Sequence, residues 1–289
     1  MKFEDILNLI RSFDVEFAEN RIIEFILDRF NKIGAKYAVI GVSGGIDSAL
    51  VLGLLEKALG KDKVLPFILP HGEITENKDI EDAENLIKSY GSSYNMINID
   101  EITEVIKNKL KNVKISVDKK SQGNMMARIR SLLLYTVANI YNGLVIGTGD
   151  KSEILIGYFT KYGDGAVDIL PIGDLYKTQV RILAKHIGIP DNIVKKPSSP
   201  NLWKDQTAEE ELGLSYEVID VILYAFLDLK WPIKKILELD DIEEEQLKRV
   251  LHLIEISEHK RMIPIIPKVS KGLTVGLDWR MPIDYTLSI

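Results

Sequence analysis

The feature that most constrains this chain is the turn Val42-Ser43-Gly44-Gly45-Ile46-Asp47-Ser48, which stands between an apolar run, Tyr37 to Gly41, and a helical pattern from Ala49 to Leu59. A buried strand that passes through two glycines straight into a helix leaves several backbone N–H groups unpaired and aimed at one point, a geometry that holds phosphate. The turn lacks the Gly-Lys-Ser/Thr ending of the commoner phosphate loop and carries Asp47 in that region instead. An acid beside phosphates requires a cation between them. The bland alternative is a Gly-Gly turn leading into an ordinary helix, and the rest of the chain has to decide between the two.

Around the turn, apolar runs and amphipathic stretches alternate: strand 36–42, helix 46–59, strand 63–69, helix 75–90, strand 94–99, helix 101–111, a long helix from Gln122 to Tyr141, and strand 143–147. Such alternation predicts an α/β fold with a mostly parallel sheet whose ligands lie beyond the carboxyl ends of the strands. The loops 69–73 and 98–100 are then expected to share one crevice with the Gly-Gly turn. Residues 3–30 read as amphipathic helix broken near Asn20, and Ser215–Ser257 as helix interrupted at Trp231-Pro232, with a solvated acidic run at 239–245. The expected organisation is a single domain, 1–289, made of N-terminal helices (1–30), a core (36–200) and a lid with C-terminal helices (201–289).

A net charge of −6 and a pI near 5.4 speak against nucleic acid as the main partner. The chain has no cysteine, which removes disulfides, thiolate metal sites and a cysteine nucleophile. Its apolar runs are too short and too interrupted to span a bilayer, and no secretory pattern opens it, so the cytoplasm is the expected compartment.

Chemistry-bearing residues cluster at the ends of the expected strands. Gly147-Thr148-Gly149 closes a strand with small residues, letting a nucleotide approach the backbone, and Glu153 follows on the next helix. Asp47 and Glu153 facing a polyphosphate form a Mg²⁺ site, since that ion keeps water and takes one or two carboxylates. Arg128 and Arg130 near the start of the long helix, and Lys177 at the start of another, oppose the helix dipole and so point to a nearby anion. Gly157 to Gly165 is too Gly-rich for helix and too polar for core, hence a structured loop. Residues 195–207, with two prolines, read as a mobile lid. His71 is expected to be a solvated loop residue. The four histidines have no metal-ligand spacing, and His259-Lys260-Arg261 is a basic cluster at a helix end.

Taken in order, GVSGGIDSA, GNMMAR, GTGDKSE, GYFTKYGDG, DILP, LYKTQV, the Pro/Ser lid followed by ELG and YEVID, and the terminal EHKR resemble the ammonia-dependent NAD⁺ synthetase family within the ATP pyrophosphatases. The likeness runs from about residue 20 to residue 267, and GYFTKYGDG is its most specific part. The resemblance implies a three-layer αβα fold like that of the adenine nucleotide α-hydrolases. It also implies amidation of deamido-NAD⁺ by ammonia with ATP and Mg²⁺, through an adenylated carboxylate, giving NAD⁺, AMP and pyrophosphate. By the same resemblance ATP is bound by Gly41, Val42, Ser43, Gly44, Gly45, Ile46, Asp47, Ser48, Thr148, Lys177 and Ser198. Mg²⁺ is held by Asp47 and Glu153, and deamido-NAD⁺ by Arg128, Lys161, Asp168, His259 and Lys260. Asp47 and Lys177 carry the catalytic charge. A homodimer is implied, with the apolar helix 129–140 suited to the contact, and neither nucleic acid nor membrane is a partner.

Two stretches depart from the family pattern. Thr207-Ala208-Glu209-Glu210 stands where an Asp-Glu pair is usual, and HGEITEN follows the second strand. The lack of a cysteine nucleophile and of the length of an amidase-fused chain points to free ammonia as the nitrogen source. Two other readings compete. A GMP-forming or tRNA-modifying ATP pyrophosphatase would have no use for GYFTKYGDG or would need a basic surface. A nucleotide sensor without turnover would not need both Asp47 and Glu153 at the phosphates.

Overall fold

The helix after the Gly-Gly turn is apolar on every side, so it has to be covered on every side, and the molecule is arranged around it. The structure, a computed structural model, describes residues 2–262, 264–269 and 271–272; the end of the C-terminal part expected from sequence lies outside the described residues. Helix α1 (Phe3–Arg11) and α2 (Val15–Ile33) precede strand β1 (Tyr37–Gly41), which feeds α3 (Ile46–Leu59). Strand β2 (Val64–Ile68), α4 (Asn77–Ser89), β3 (Asn95–Met96), α5 (Asp100–Asn112), α6 (Lys119–Tyr141) and β4 (Gly143–Val145) follow. The strands form a parallel sheet in the order β3-β2-β1-β4, with Gly41 opposite Phe67 and Val39 opposite Val145.

The alternation along β1 sorts the two faces. Ala38 and Ile40 point into a core with α2, α3 and α4, in which Leu50, Leu52, Leu54 and Leu55 are completely buried. Val39 points to the opposite core, shared with α5 and α6 through Ile99, Met126 and Ile129. Each such side chain contributes about 1.5–3 kcal/mol by leaving water. This is the expected α/β architecture in three layers.

The remaining α-helices among the described residues are α7 (Lys151–Ile156), α8 (Lys177–His186), α9 (Asp191–Val194), α10 (Ala208–Leu212), α11 (Tyr216–Leu223), α12 (Ile233–Ile236), α13 (Glu244–Ile256) and α14 (Glu258–Arg261). A separate apolar core joins α1, through Ile6, Leu7 and Ile10, to α11 and α13. Helix α1 thus packs with α11 and α13 while α2 packs on the sheet.

Several expectations are corrected. The N-terminal helix breaks at Ser12–Asp14 and not near Asn20, because the Asp14 side chain accepts the Phe17 N–H at 2.9 Å and starts a new helix. Helix α6 begins at Lys119, capped by Asp118 on Ser121 N at 2.8 Å, so Arg128 and Arg130 sit beyond the reach of its N-terminal dipole. The third strand is cut to two residues, although Ile97 and Ile99 still donate to Ile68 O and Pro70 O. His71 is buried, 3% exposed, with Nδ1 3.1 Å from Asp100 Oδ1.

Candidate active site

Strand β1 is central, and the chain turns outward to β2 and β3 on one side and to β4 on the other. The carboxyl ends of β1 and β4 therefore flank a topological switch point, where open parallel sheets place their ligands. Both ends carry the glycine-rich loops read from the sequence.

After β1, Val42 N–H pairs with Phe67 O at 2.8 Å. The two serines then shape the loop: Ser43 N–H donates to Ser48 Oγ at 3.1 Å, and Ser48 Oγ donates to Gly45 O at 3.0 Å. Gly45 takes the N-cap position of α3 without any side-chain cap, leaving the first-turn N–H groups free for a ligand. Gly44 has φ +80°, and a Cβ there would lie 2.3 Å from the Asp79 carbonyl oxygen, so only glycine fits.

Beneath the loop lies a cluster of charges. Lys177, the first residue of α8, is fully buried, and its Nζ lies 2.8 Å from both oxygens of Asp47, 2.9 Å from Glu153 Oε1 and 3.0 Å from Asp150 Oδ2. A cation at a helix start is disfavoured by the dipole, and here three carboxylates outweigh that. Asp150 and Glu153 are presented together because they form the capping box of α7: Asp150 Oδ1 accepts Glu153 N–H at 2.8 Å. Tyr216 OH donates to Glu153 Oε1 at 3.3 Å. Asp220, on α11, accepts Ser152 Oγ and both the N–H and hydroxyl of Thr178, locking α7 and α8 to the C-terminal helices.

Burial pushes Asp150 up to about 7 and Glu153 up to about 8, against the pull of Lys177. Burial opposes the charge of Lys177, but Asp150, Asp47 and Glu153 more than offset it and hold the ammonium well above its ordinary value. The cluster therefore keeps its ammonium and an excess of acid.

A cavity of about 720 Å³ opens above these groups. Gly41, Val42, Ser43, Gly45, Ile46, Asp47 and Ser48 line it, as do Thr148, Glu153, Ser198, His259 and Lys260. Gly44 sits behind the loop and Lys177 below the floor. Three further expected residues, Arg128, Lys161 and Asp168, do not line it either. Arg128 is exposed and donates to Lys161 O at 3.2 Å, Lys161 Nζ donates to His259 O at 2.6 Å, and Asp168 accepts Val145 N–H at 2.7 Å and Tyr135 OH at 3.2 Å. Lys260 Nζ donates to Gly157 O at 2.6 Å and Phe159 O at 2.7 Å, bracing the glycine-rich loop 157–165. The crevice takes in Leu69, Pro70 and Thr75 of the loop after β2 but neither His71 nor Asp100.

Sequence reasoning misses Asp150, whose signal is the Asp-Lys-Ser-Glu capping pattern at 150–153. It also passes over Lys196 and Asp79, which line the cavity. Arg130, noted only for its place on the helix, lines the cavity as well and donates Nε to Leu69 O at 2.9 Å.

The parallel sheet, the Gly-Gly loop at its switch point and the acid cluster below define an α/β ligase of the PP-loop class. A family model described as NAD synthase matches residues 18–264. The chain belongs to the NAD synthase family. It is 46% identical over 261 residues to the NH(3)-dependent NAD(+) synthetase of Hyperthermus butylicus, covering 90% of this chain and 94% of that one. The enzyme of the same description from Pyrococcus furiosus is also 46% identical, over 90% of this chain and 97% of its own. Among solved structures, NMN synthetase from Francisella tularensis superposes with a TM-score of 0.78 at 33% identity, over 89% of this chain and all of that one. NH3-dependent NAD synthetase from Campylobacter jejuni gives 0.74 at 30% identity, with the same coverage.

Proposed function

We propose that the chain converts deamido-NAD⁺ and ammonia to NAD⁺ at the expense of ATP. The single observation that carries this reading is the meeting of the uncapped Gly-Gly loop with the Asp47–Asp150–Glu153–Lys177 cluster at the switch point of an NAD synthase fold.

A carboxylate is a poor acyl donor, because its leaving group would be oxide. In the first step a nicotinate carboxylate oxygen bonds to the α-phosphorus of ATP, the bond between that phosphorus and the bridging oxygen breaks, and pyrophosphate leaves. In the second, ammonia bonds to the acyl carbon, AMP departs with the carboxylate oxygen, and the nitrogen loses a proton. The Gly45 N–H and the free N–H groups of the first turn of α3 receive the pyrophosphate charge as it develops. Thr148 and Ser198 hold ATP from the opposite walls, and Lys177 acts on the phosphates through the acids it fixes. His259 and Lys260 face the dinucleotide, and Arg128, Lys161 and Asp168 shape its end of the site.

The residues fit Mg²⁺. Asp47 and Glu153 each present a partly exposed carboxylate to the cavity, 20% and 18% exposed, and Asp150 Oδ2 accepts no aligned hydrogen bond. Among the described residues no cluster forms a complete protein cage for a metal. That suits an ion that keeps several waters and takes oxygens from phosphate. Mg²⁺ would be held by Asp47 and Glu153 and would neutralise the pyrophosphate.

A homodimer fits the exposed apolar side chains of α6, Leu132 at 65% and Ile140 at 71%. No helix among the described residues is long and apolar enough to cross a membrane, and a cytoplasmic location accords with the biosynthetic role.

The purified protein with deamido-NAD⁺, ATP, Mg²⁺ and an ammonium salt is expected to yield NAD⁺ and pyrophosphate together; absence of both overturns the reading. The likeness to NMN synthetase calls for a parallel reaction with nicotinate mononucleotide, which is expected to be the poorer acceptor.

The raised acids also set a pH dependence. Native Asp150 and Glu153 hold protons up to about 7 and 8, whereas the unfolded chain releases them near the ordinary carboxylate value. The cation-free protein is therefore expected to lose stability as pH rises from about 4 to about 8. Cation binding needs the ionised acids, so the rise in melting temperature caused by Mg²⁺ should be larger at about pH 8.5 than at about pH 6. An equal rise at both would remove these acids from the site.

A further inference from the structure

The peptide between Gly44 and Gly45 has no Cβ on either side, so side chains place little hindrance on a rotation of its plane. Its C=O and N–H point in opposite directions, so whatever holds Gly44 O also aims Gly45 N–H. Lys196 holds it. The ammonium donates to Gly44 O at 3.0 Å, to Asp79 Oδ1 at 2.7 Å and to Asp82 Oδ2 at 2.5 Å. The Gly45 N–H meets only a long contact with Ser43 Oγ, 3.3 Å, and both of these residues line the cavity.

We propose that Lys196 is a positioning residue of the phosphate loop, pinning the Gly44 carbonyl against the acids of α4 so that the Gly45 N–H stays turned toward an incoming phosphate oxygen. This rests on the reading of the loop as the pyrophosphate site. The clamp is built on both sides. Asp79 Oδ2 accepts Asn201 Nδ2 at 3.0 Å and Asp82 Oδ1 accepts Asn192 Nδ2 at 2.8 Å, so all four carboxylate oxygens are engaged and neither acid is free to swing. Both acids are nearly buried. Burial disfavours the Lys196 charge, but its hydrogen bonds to Asp79 and Asp82 outweigh that and keep it protonated. The Gly44 backbone is itself seated on the Asp79 carbonyl. Because Lys196 and Asn201 belong to the segment read as a lid, the same contacts tie that segment to the loop.

A lysine on the cavity wall has a simpler possible role, direct attraction for phosphate, and the two roles differ in sign. If Lys196 acted by charge alone, removing the neighbouring Asp82 would strengthen anion binding. If it acts as a clamp, removing Asp82 loosens its seat and weakens binding. Calorimetric titration of inorganic pyrophosphate in Mg²⁺ buffer into wild type, Lys196→Met and Asp82→Ala separates them. Alanine suits the helix at 82, and a circular-dichroism melt on each variant establishes that it is folded. The expected result is a loss of about tenfold in pyrophosphate affinity for Lys196→Met, the scale of one charge-assisted hydrogen bond, and a smaller loss for Asp82→Ala. Lys196→Arg should recover part of it, and in turnover assays the loss should fall on KM for ATP, with KM for deamido-NAD⁺ unchanged. Tighter binding by Asp82→Ala, or unaltered binding by folded Lys196→Met, overturns the clamp while leaving the pyrophosphate reading intact. Failure of the wild type to bind pyrophosphate overturns both.

Discussion

Replacing Lys177 by methionine is expected to abolish turnover and to lower the melting temperature by about 10 °C. The side chain is fully buried with three carboxylates at hydrogen-bonding distance. Methionine fills a similar volume but leaves the acids facing one another without a cation, and breaking a buried ion pair from one side costs about 3–5 kcal/mol. For a chain of this size each kcal/mol moves the melting temperature by about 2–4 °C. The acids meet the loss partly by taking up protons, which makes them worse ligands for a divalent cation. A thermal melt and a steady-state assay check both effects, and a variant with wild-type stability would show that the cluster is not held as the distances indicate.

The second large effect is separated from the first by its stability signature. Asp47→Asn should lower turnover by at least about a hundredfold, the scale for losing one element of charge stabilisation. Its melting temperature should hardly change, because Asn keeps an acceptor for Lys177 and removes one of three mutually repelling acids. Asp47 stands in the first turn of α3 with its carboxylate at the cavity edge, so its role is in what the cavity receives. Near-normal turnover would take Asp47 out of the charge-bearing site.

What could be read from the sequence was what is local in the chain. The Gly-Gly loop announces itself because strand, turn and helix start are contiguous, and the sheet follows from the alternation of apolar runs. Asp150 is one of 43 acidic residues, and nothing at its own position says that it will face an ammonium twenty-seven residues further on. Lys177 at a helix start points to an anion, but nothing local says that the anions beside it include carboxylates brought from α3 and from the cap and first turn of α7. Nothing near His71 in the chain signals its burial, because its partner Asp100 arrives from the next connection. The helix break at Asp14 carries an N-cap signal in the sequence, but the apolar period that runs through it hides it. The contact of Asp168 with the Val145 N–H, where the strand pairing of β4 ends, spans 23 residues and has no local signal either.

The bracing of loop 157–165 bears on the order in which the molecule is completed. The carbonyls of Gly157 and Phe159 take their hydrogen bonds from Lys260, which lies 103 residues after Gly157. Synthesis at about 5–20 residues per second puts about 5–20 s between the appearance of that loop on the ribosome and that of its brace. The partners of the phosphate loop, Ser48, Asp79 and Lys196, all precede Lys260, the last of them by 64 residues. A nascent chain thus holds every partner of its phosphate loop before α14 supplies the brace of loop 157–165.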